Sequence, residues 1–233
     1  MKRFWKTVDI EQAEGGWRVT LDGRPLRTQG GAAQLVPTRE LATLLATEWA
    51  AQGEKVDPKL FIHRDLADFA IDRIAPDREQ AIASIMPYAE TDTLCYRADP
   101  DEPLFARQQE LWEPLLTETE ARLDARFTRI SGIVHRPQPP ETLARLHDEL
   151  AALDPFILAG VTTLASLAAS LVIALAALHP DADHEALYAA ANCEEDWQAE
   201  LWGLDAEAQK ARAAKLEAFA HAVKFIRTAQ AGR

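Results

Sequence analysis

The chain has 233 residues, enough for one large domain or two small ones. Hydrophobic residues make up 48% and charged residues 27%, a globular balance that excludes wholesale disorder. A net charge of -12, from 25 basic against 37 acidic residues, argues against a nucleic-acid or anionic-membrane partner, which needs concentrated positive charge.

The first 60 residues carry nine Lys/Arg and eight Asp/Glu, whereas the rest is strongly acidic. The opening MKRFWKTVDI is basic but short, and no apolar signal segment or long acid-poor stretch follows, so a cytoplasmic protein is predicted. Phe4–Ile10, Trp17–Leu21, Arg24–Arg27 and Gln34–Val36 read as strands. Asp22-Gly23 lies between two of them and predicts a type I′ turn with positive φ at both positions. After Pro37 the period becomes helical: Thr38 is the expected N-cap of a helix that carries Leu41, Leu44, Leu45, Glu48 and Trp49 on one side.

Beyond residue 60 the pattern predicts helices alone, over Phe61–Ala75, Asp77–Glu90, Glu102–Leu123, Glu141–Leu153, Pro155–Leu178, His184–Ala191 and Asp205–Gln230, punctuated by prolines. The expected fold class is α+β: a small β-rich domain with one helix over 1–58, then a larger all-helical domain over 59–233. Phe156–Leu178 is charge-free and long enough to span a bilayer. Its many Ala, Ser, Thr and Gly residues instead predict a buried central helix, with a Leu164, Leu167, Leu171, Leu175, Leu178 stripe.

The two cysteines, Cys95 and Cys193, have no zinc or disulfide-framework spacing and fit a reducing compartment. Cys95 is expected to be a packed thiol. No metal or cofactor motif, phosphate-binding glycine loop or nucleophile elbow is present, so no catalytic residue is assigned. Asp65, Asp68 and Asp72 fall on one helix face. They could hold a metal, which is the one enzyme alternative, but Arg64 and Arg73 beside them predict ion pairs on a solvated face. Asp181–Glu207 carries nine Asp/Glu, no Lys or Arg, and both Trp197 and Trp202. It is either a solvated helix docked by its tryptophans or a surface whose acids steer a basic partner. On a helix Trp197 and Trp202 diverge by about 140°, so both cannot enter one core.

Several blocks together resemble one family. Glu90-Thr91-Asp92-Thr93-Leu94-Cys95-Tyr96-Arg97 is similar to its Thr-Asp-Thr-x-Cys-Tyr-Arg signature, and Gln109-x-x-Trp112-x-Pro114-Leu115-Leu116, with Glu113 at the acidic position, to its Trp-Asp-Pro block. Leu21–Thr28 resembles its N-terminal hairpin, and Glu48-Trp49-x-x-Gln52 the end of its first helix. Ser170–Ala176 and Glu194-Glu195-Asp196-Trp197-Gln198-x-x-x-Trp202-Gly203 complete the series, and the pattern departs from Leu204 onward. The family is the assembly chaperone for the alpha subunit of the mitochondrial-type ATP synthase F-one head, here in its alphaproteobacterial form.

The resemblance implies a β-containing domain and a helical domain, with no catalysis and no cofactor. It implies a protein, monomeric when free, that binds the unassembled alpha subunit until beta pairs with it. Asp22, Gly23, Trp49, Asp92, Arg97 and Trp112 are then expected to be structural. Glu194, Glu195, Asp196, Gln198, Glu200 and Trp202 are expected to meet the partner. The rival reading is a chaperone for another respiratory-complex subunit.

Overall fold

The computed structural model describes residues 2–132, 134–203 and 205–231. The chain divides into two compact units. One comprises Met1–Arg78, Asp154–Gly160 and Lys224–Arg233; the other comprises Glu79–Leu153 and Val161–Val223.

In the first unit β1 (Val8–Ala13), β2 (Gly16–Leu21) and β3 (Arg24–Pro25) form an antiparallel sheet in the order β1-β2-β3. The predicted Asp22-Gly23 turn is present, with φ of 49° and 75°. Asp22 also accepts hydrogen bonds from the Lys6 and Thr7 backbone N–H groups through Oδ1, at 2.9 and 2.8 Å, which ties the lead-in of β1 to the turn. The first strand begins later than the Phe4–Ile10 expectation, because the hairpin register is set by the Glu14-Gly15 turn and pairs Val8 with Leu21. Gln34–Val36 is no ladder strand. Val36 makes an isolated bridge to Trp17, and the close approach leaves Gly16 no room for a Cβ against the Val36 carbonyl.

Helix α1 (Arg39–Ala50) packs on β1 and β2 and is capped as expected, Thr38 Oγ1 accepting from Leu41 N at 3.1 Å. Trp5, Trp49 and Phe61 form a buried aromatic run, with ring centroids 5.1 and 4.5 Å apart. The predicted Phe61–Ala75 helix is α2 (Ile62–Phe69) continued by a wider π turn, Ala70–Ile74.

The second unit is built from α3 (Arg78–Ile85), α4 (Pro87–Glu90), a short strand β4 (Tyr96–Arg97), α5 (Pro103–Leu123), β5 (Ile130–Ser131), α6 (Pro140–Ala152), α7 (Pro155–Ala168), α8 (Leu171–Ala176), α9 (His184–Ala191), α10 (Cys193–Trp202) and α11 (Ala206–Gln230), the outer ends of α3, α7 and α11 belonging to the first unit. Trp112, Leu116, Leu146, Leu164, Leu171 and Phe219 are fully buried in its core. Two expectations are corrected here. The region beyond residue 60 does contain strands, since β4 and β5 pair in parallel, Tyr96 with Ile130 and Arg97 with Ser131. Pro155–Leu178 is not one helix: Ala169 takes φ of 48°, and Ser170 restarts the chain as the N-cap of α8, accepting from Ile173 N at 3.1 Å. The charge-free stretch is thus divided, and no helix among the described residues is long and apolar enough to cross a membrane.

Candidate functional site

The acidic segment is α10, and a helical wheel sorts its side chains. Cys193, Asp196, Trp197 and Glu200 lie on one side; Glu195, Gln198 and Trp202, at i, i+3 and i+7, lie on the other. The inward side is occupied by contacts within the unit. Asp196 pairs with Arg212, with Oδ2 2.7 Å from Nη2, and Glu200 pairs with Arg107 at 2.6 Å. The Arg107 guanidinium lies 5.8 Å from the Trp197 ring centroid. Cys193 is buried, and burial pushes its thiol up to about 11, too high for a nucleophile.

Glu194 lies between the two sides. It accepts a hydrogen bond from Gln108 Nε2 at 2.8 Å, while partial burial and the adjacent Glu195 charge push its carboxyl up. The outward side is open. Glu195 and Gln198 are exposed and have no hydrogen-bond or ion-pair partner among the described residues. Trp202 is 77% exposed, and Leu201 beside it 57%. Of the six residues expected to meet a partner, Glu195, Gln198 and Trp202 present a common surface, whereas Asp196 and Glu200 hold α10 to α11 and α5. Leu204 lies outside the described residues.

The motif residues expected to be structural are deeply engaged. Asp92 is fully buried. Its Oδ1 accepts from Leu94 N at 3.1 Å and its Oδ2 from Val172 N at 2.9 Å, so it supports the first turn of α8. Burial pushes its carboxyl up to about 6, against the four hydrogen bonds that favour the ion. Thr93 donates twice to the Ala169 carbonyl, from N at 3.2 Å and Oγ1 at 2.9 Å, and so pins the helix break.

Arg97, 6% exposed, donates to Glu113 at 2.7 Å, and Arg129 reaches the other oxygen of Glu113 at 2.8 Å. Arg129 also pairs with the buried Glu120, whose Oε1 takes the Phe127 N–H at 2.7 Å. Trp112 donates Nε1–H to the Ala190 carbonyl at 2.8 Å. Cys95 is fully buried and its thiol is pushed strongly up, a packed thiol as expected. Glu48 beside Trp49 accepts from His63 N and Arg64 N at 2.8 and 2.9 Å, capping α2.

Gln108 was not singled out by the sequence, yet it is buried and bridges Ala98 N, at 2.8 Å, to Glu194. Its signal was its place one helical turn before Trp112.

Asp65, Asp68 and Asp72 do not form an open metal face. Gln29 N and Gln34 Nε2 donate to Asp68 at 3.0 and 2.6 Å, Thr28 Oγ1 and Gly30 N to Asp72 at 2.7 and 2.8 Å, and Gln29 Nε2 to Asp65 at 3.0 Å. These carboxylates shape the 28–34 loop. Arg64 pairs with Asp65 as expected, but Arg73 forms no ion pair among the described residues.

Comparison with known proteins adds a family to this geometry. A family model described as ATP12 chaperone protein matches residues 2–120. A mitochondrial atp12 protein of Schizosaccharomyces pombe is 25% identical over 218 residues, which covers 87% of this chain and 74% of that protein. The crystal structure of Atp12 from Paracoccus denitrificans superimposes with a TM-score of 0.92 at 38% identity, over 98% of each chain. The Atu1473 protein of Agrobacterium tumefaciens gives 0.91 at 39% identity, over 97% of this chain and 85% of its own.

Proposed function

The chain belongs to the ATP12 chaperone family, and from that premise we propose that it binds the unassembled alpha subunit of the ATP synthase catalytic head and keeps it from aggregating until beta takes its place. A subunit of a closed alternating ring exposes apolar surface on its unpaired faces, and such surface aggregates. Covering it requires binding, not chemistry, so the chain works without a catalytic step or a cofactor. In a bacterium this work belongs to the cytoplasm, where the head is assembled.

The observation that carries the reading is the outward side of α10. An exposed tryptophan and leucine, Trp202 and Leu201, adjoin the unpaired Glu195 and Gln198 on a helix whose other side is fixed by Arg107 and Arg212. Large exposed aromatics supply contact area, and neighbouring acids orient a basic partner.

The test is light scattering of purified alpha subunit with and without an equal amount of this chain. The chain is expected to hold alpha in solution. Trp202→Ala should weaken the complex about tenfold, or about 1.4 kcal/mol, without lowering the melting temperature. Alpha that aggregates equally with and without the chain rejects the reading.

A further inference from the structure

We propose that an open groove in the second unit, formed by α5, α9 and the end of α8, takes a basic amphipathic segment of the protein client, one large apolar side chain at its centre and Lys or Arg to either side. The proposal rests on the chaperone reading above and adds to it a second surface, separate from the outward side of α10.

The groove has a volume of about 520 Å³. Leu111, Pro114 and Leu115, at i, i+3 and i+4 on α5, form one wall, and Ala186 and Leu187 of α9 the other. The leucines of α5 are only half-buried, and the alanine opposite leaves the width for a guest side chain. Such a lining selects an apolar group.

The rim selects charge. Glu110 and Glu118 stand at the two ends of the α5 wall, two helical turns or about 12 Å apart, and Asp181 stands in the turn between α8 and α9. All three are exposed and none has an ion-pair partner among the described residues. Asp183 also lines the groove, but its carboxylate is committed to the Glu185 and Ala186 N–H groups as the N-cap of α9. Among the described residues no Lys or Arg lines the groove, and His179 is its one imidazole. Three uncompensated carboxylates around an apolar floor repel an acidic guest and favour a cationic one.

Pro114 supplies a third feature. A proline in the middle of a helix has no N–H to give, so the carbonyl of Glu110 lacks its usual donor. Both residues line the groove. The motif that contains Pro114 thus joins a structural tryptophan, Trp112, to an open face one residue pair further on.

The experiment compares the full chain with Ala186→Trp, which fills the groove, and with the double variant Glu110→Lys, Glu118→Lys, which reverses its rim. Two probes are titrated, purified ATP synthase alpha subunit and a synthetic amphipathic Leu/Lys peptide, alongside thermal melts. Both variants are expected to bind alpha about tenfold more weakly at unchanged melting temperature, and the rim variant to lose most of the salt dependence of peptide binding. Because the rim residues are exposed, the double variant keeps the test open if Ala186→Trp fails to fold.

If the wild-type chain binds alpha and both variants bind it equally well, the groove proposal is overturned while the chaperone reading stands. If the wild type binds no alpha, the chaperone reading falls and the peptide decides: saturable binding lost in Ala186→Trp retains the groove, and no binding removes it. A wild-type dimer that Ala186→Trp dissociates makes a second copy the occupant and overturns the proposal.

Discussion

Asp92 illustrates why a short polar motif can be structural. Its two oxygens answer backbone N–H groups from two separate segments, Leu94 of its own turn and Val172 of α8, in a place closed to water. Removing the acceptors orphans both donors, and an orphaned buried N–H costs about 1–3 kcal/mol. Asp92→Ala should therefore lose on the order of 3 kcal/mol in urea unfolding, with an unchanged midpoint as the contrary result. Glu120 makes the complementary case through pH. Burial pushes its carboxyl up, but the Arg129 hydrogen bond, the Phe127 N–H and the charges of Arg129 and Arg126 outweigh burial and hold it below its ordinary 4.5. A carboxyl held low in the folded state stabilises the fold above the unfolded value, and that contribution is lost as pH falls through the folded one. Glu120→Gln should cost about 2 kcal/mol at neutral pH, a buried-pair loss reduced because Arg129 is partly exposed. Below pH 4.5 its stability should fall less steeply than that of the wild type, which denaturation midpoints across the acid range would resolve.

At the scale of elements, what was legible in the sequence depended on whether the deciding interaction was local. The β2–β3 turn was readable because Asp22-Gly23 carries its own conformational demand, and both residues take the positive φ required. Gly23→Val should cost about 1–3 kcal/mol by placing a β-branched residue at φ of 75°, seen as a lower melting temperature. The exposure of one α10 tryptophan was equally legible from helical geometry, since Trp202 faces out while Trp197 lies beside Arg107. The break between α7 and α8 was not. Leu164, Leu171 and Leu175 keep a helical spacing across it, and Ser170 becomes a cap only because Asp92 and Thr93, far away in sequence, fix the turn. The β4–β5 pair has the same character: two residues per strand leave no alternation to detect, and the ladder depends on Arg97 and Arg129 converging on Glu113. The acidic segment misled in one respect. Charge counting treated its carboxylates alike, whereas Arg107 and Arg212 neutralise Glu200 and Asp196 from other helices.

For the whole molecule, the net charge of -12 sets how a partner approaches, and the exposed groups set what it meets. Within α10 the distinction can be tested at a single residue. Glu195 is exposed, makes no ion pair among the described residues, and shares its side of the helix with Gln198 and Trp202 at the edge of a cleft also lined by Arg212 and Lys215 of α11. Glu195→Lys changes the total charge by two, removes an attraction for a basic client surface and adds a repulsion. Exposed charges contribute little to folding, so the melting temperature should stay close to that of the wild type. Binding to alpha should weaken about tenfold, or about 1.4 kcal/mol, with most of the change in the association rate, because rim charges act through steering. Raising the salt concentration should narrow the gap between wild type and variant, since at about 1 M the screening length is only about 3 Å. The reversal of Asp196 should behave differently: Asp196→Lys breaks the pair with Arg212 and should lower the melting temperature as well as the affinity. Association kinetics at two salt concentrations, with a thermal melt for each variant, separate the two. If Glu195→Lys binds alpha at the wild-type rate in low salt, the outward side of α10 does not meet the client.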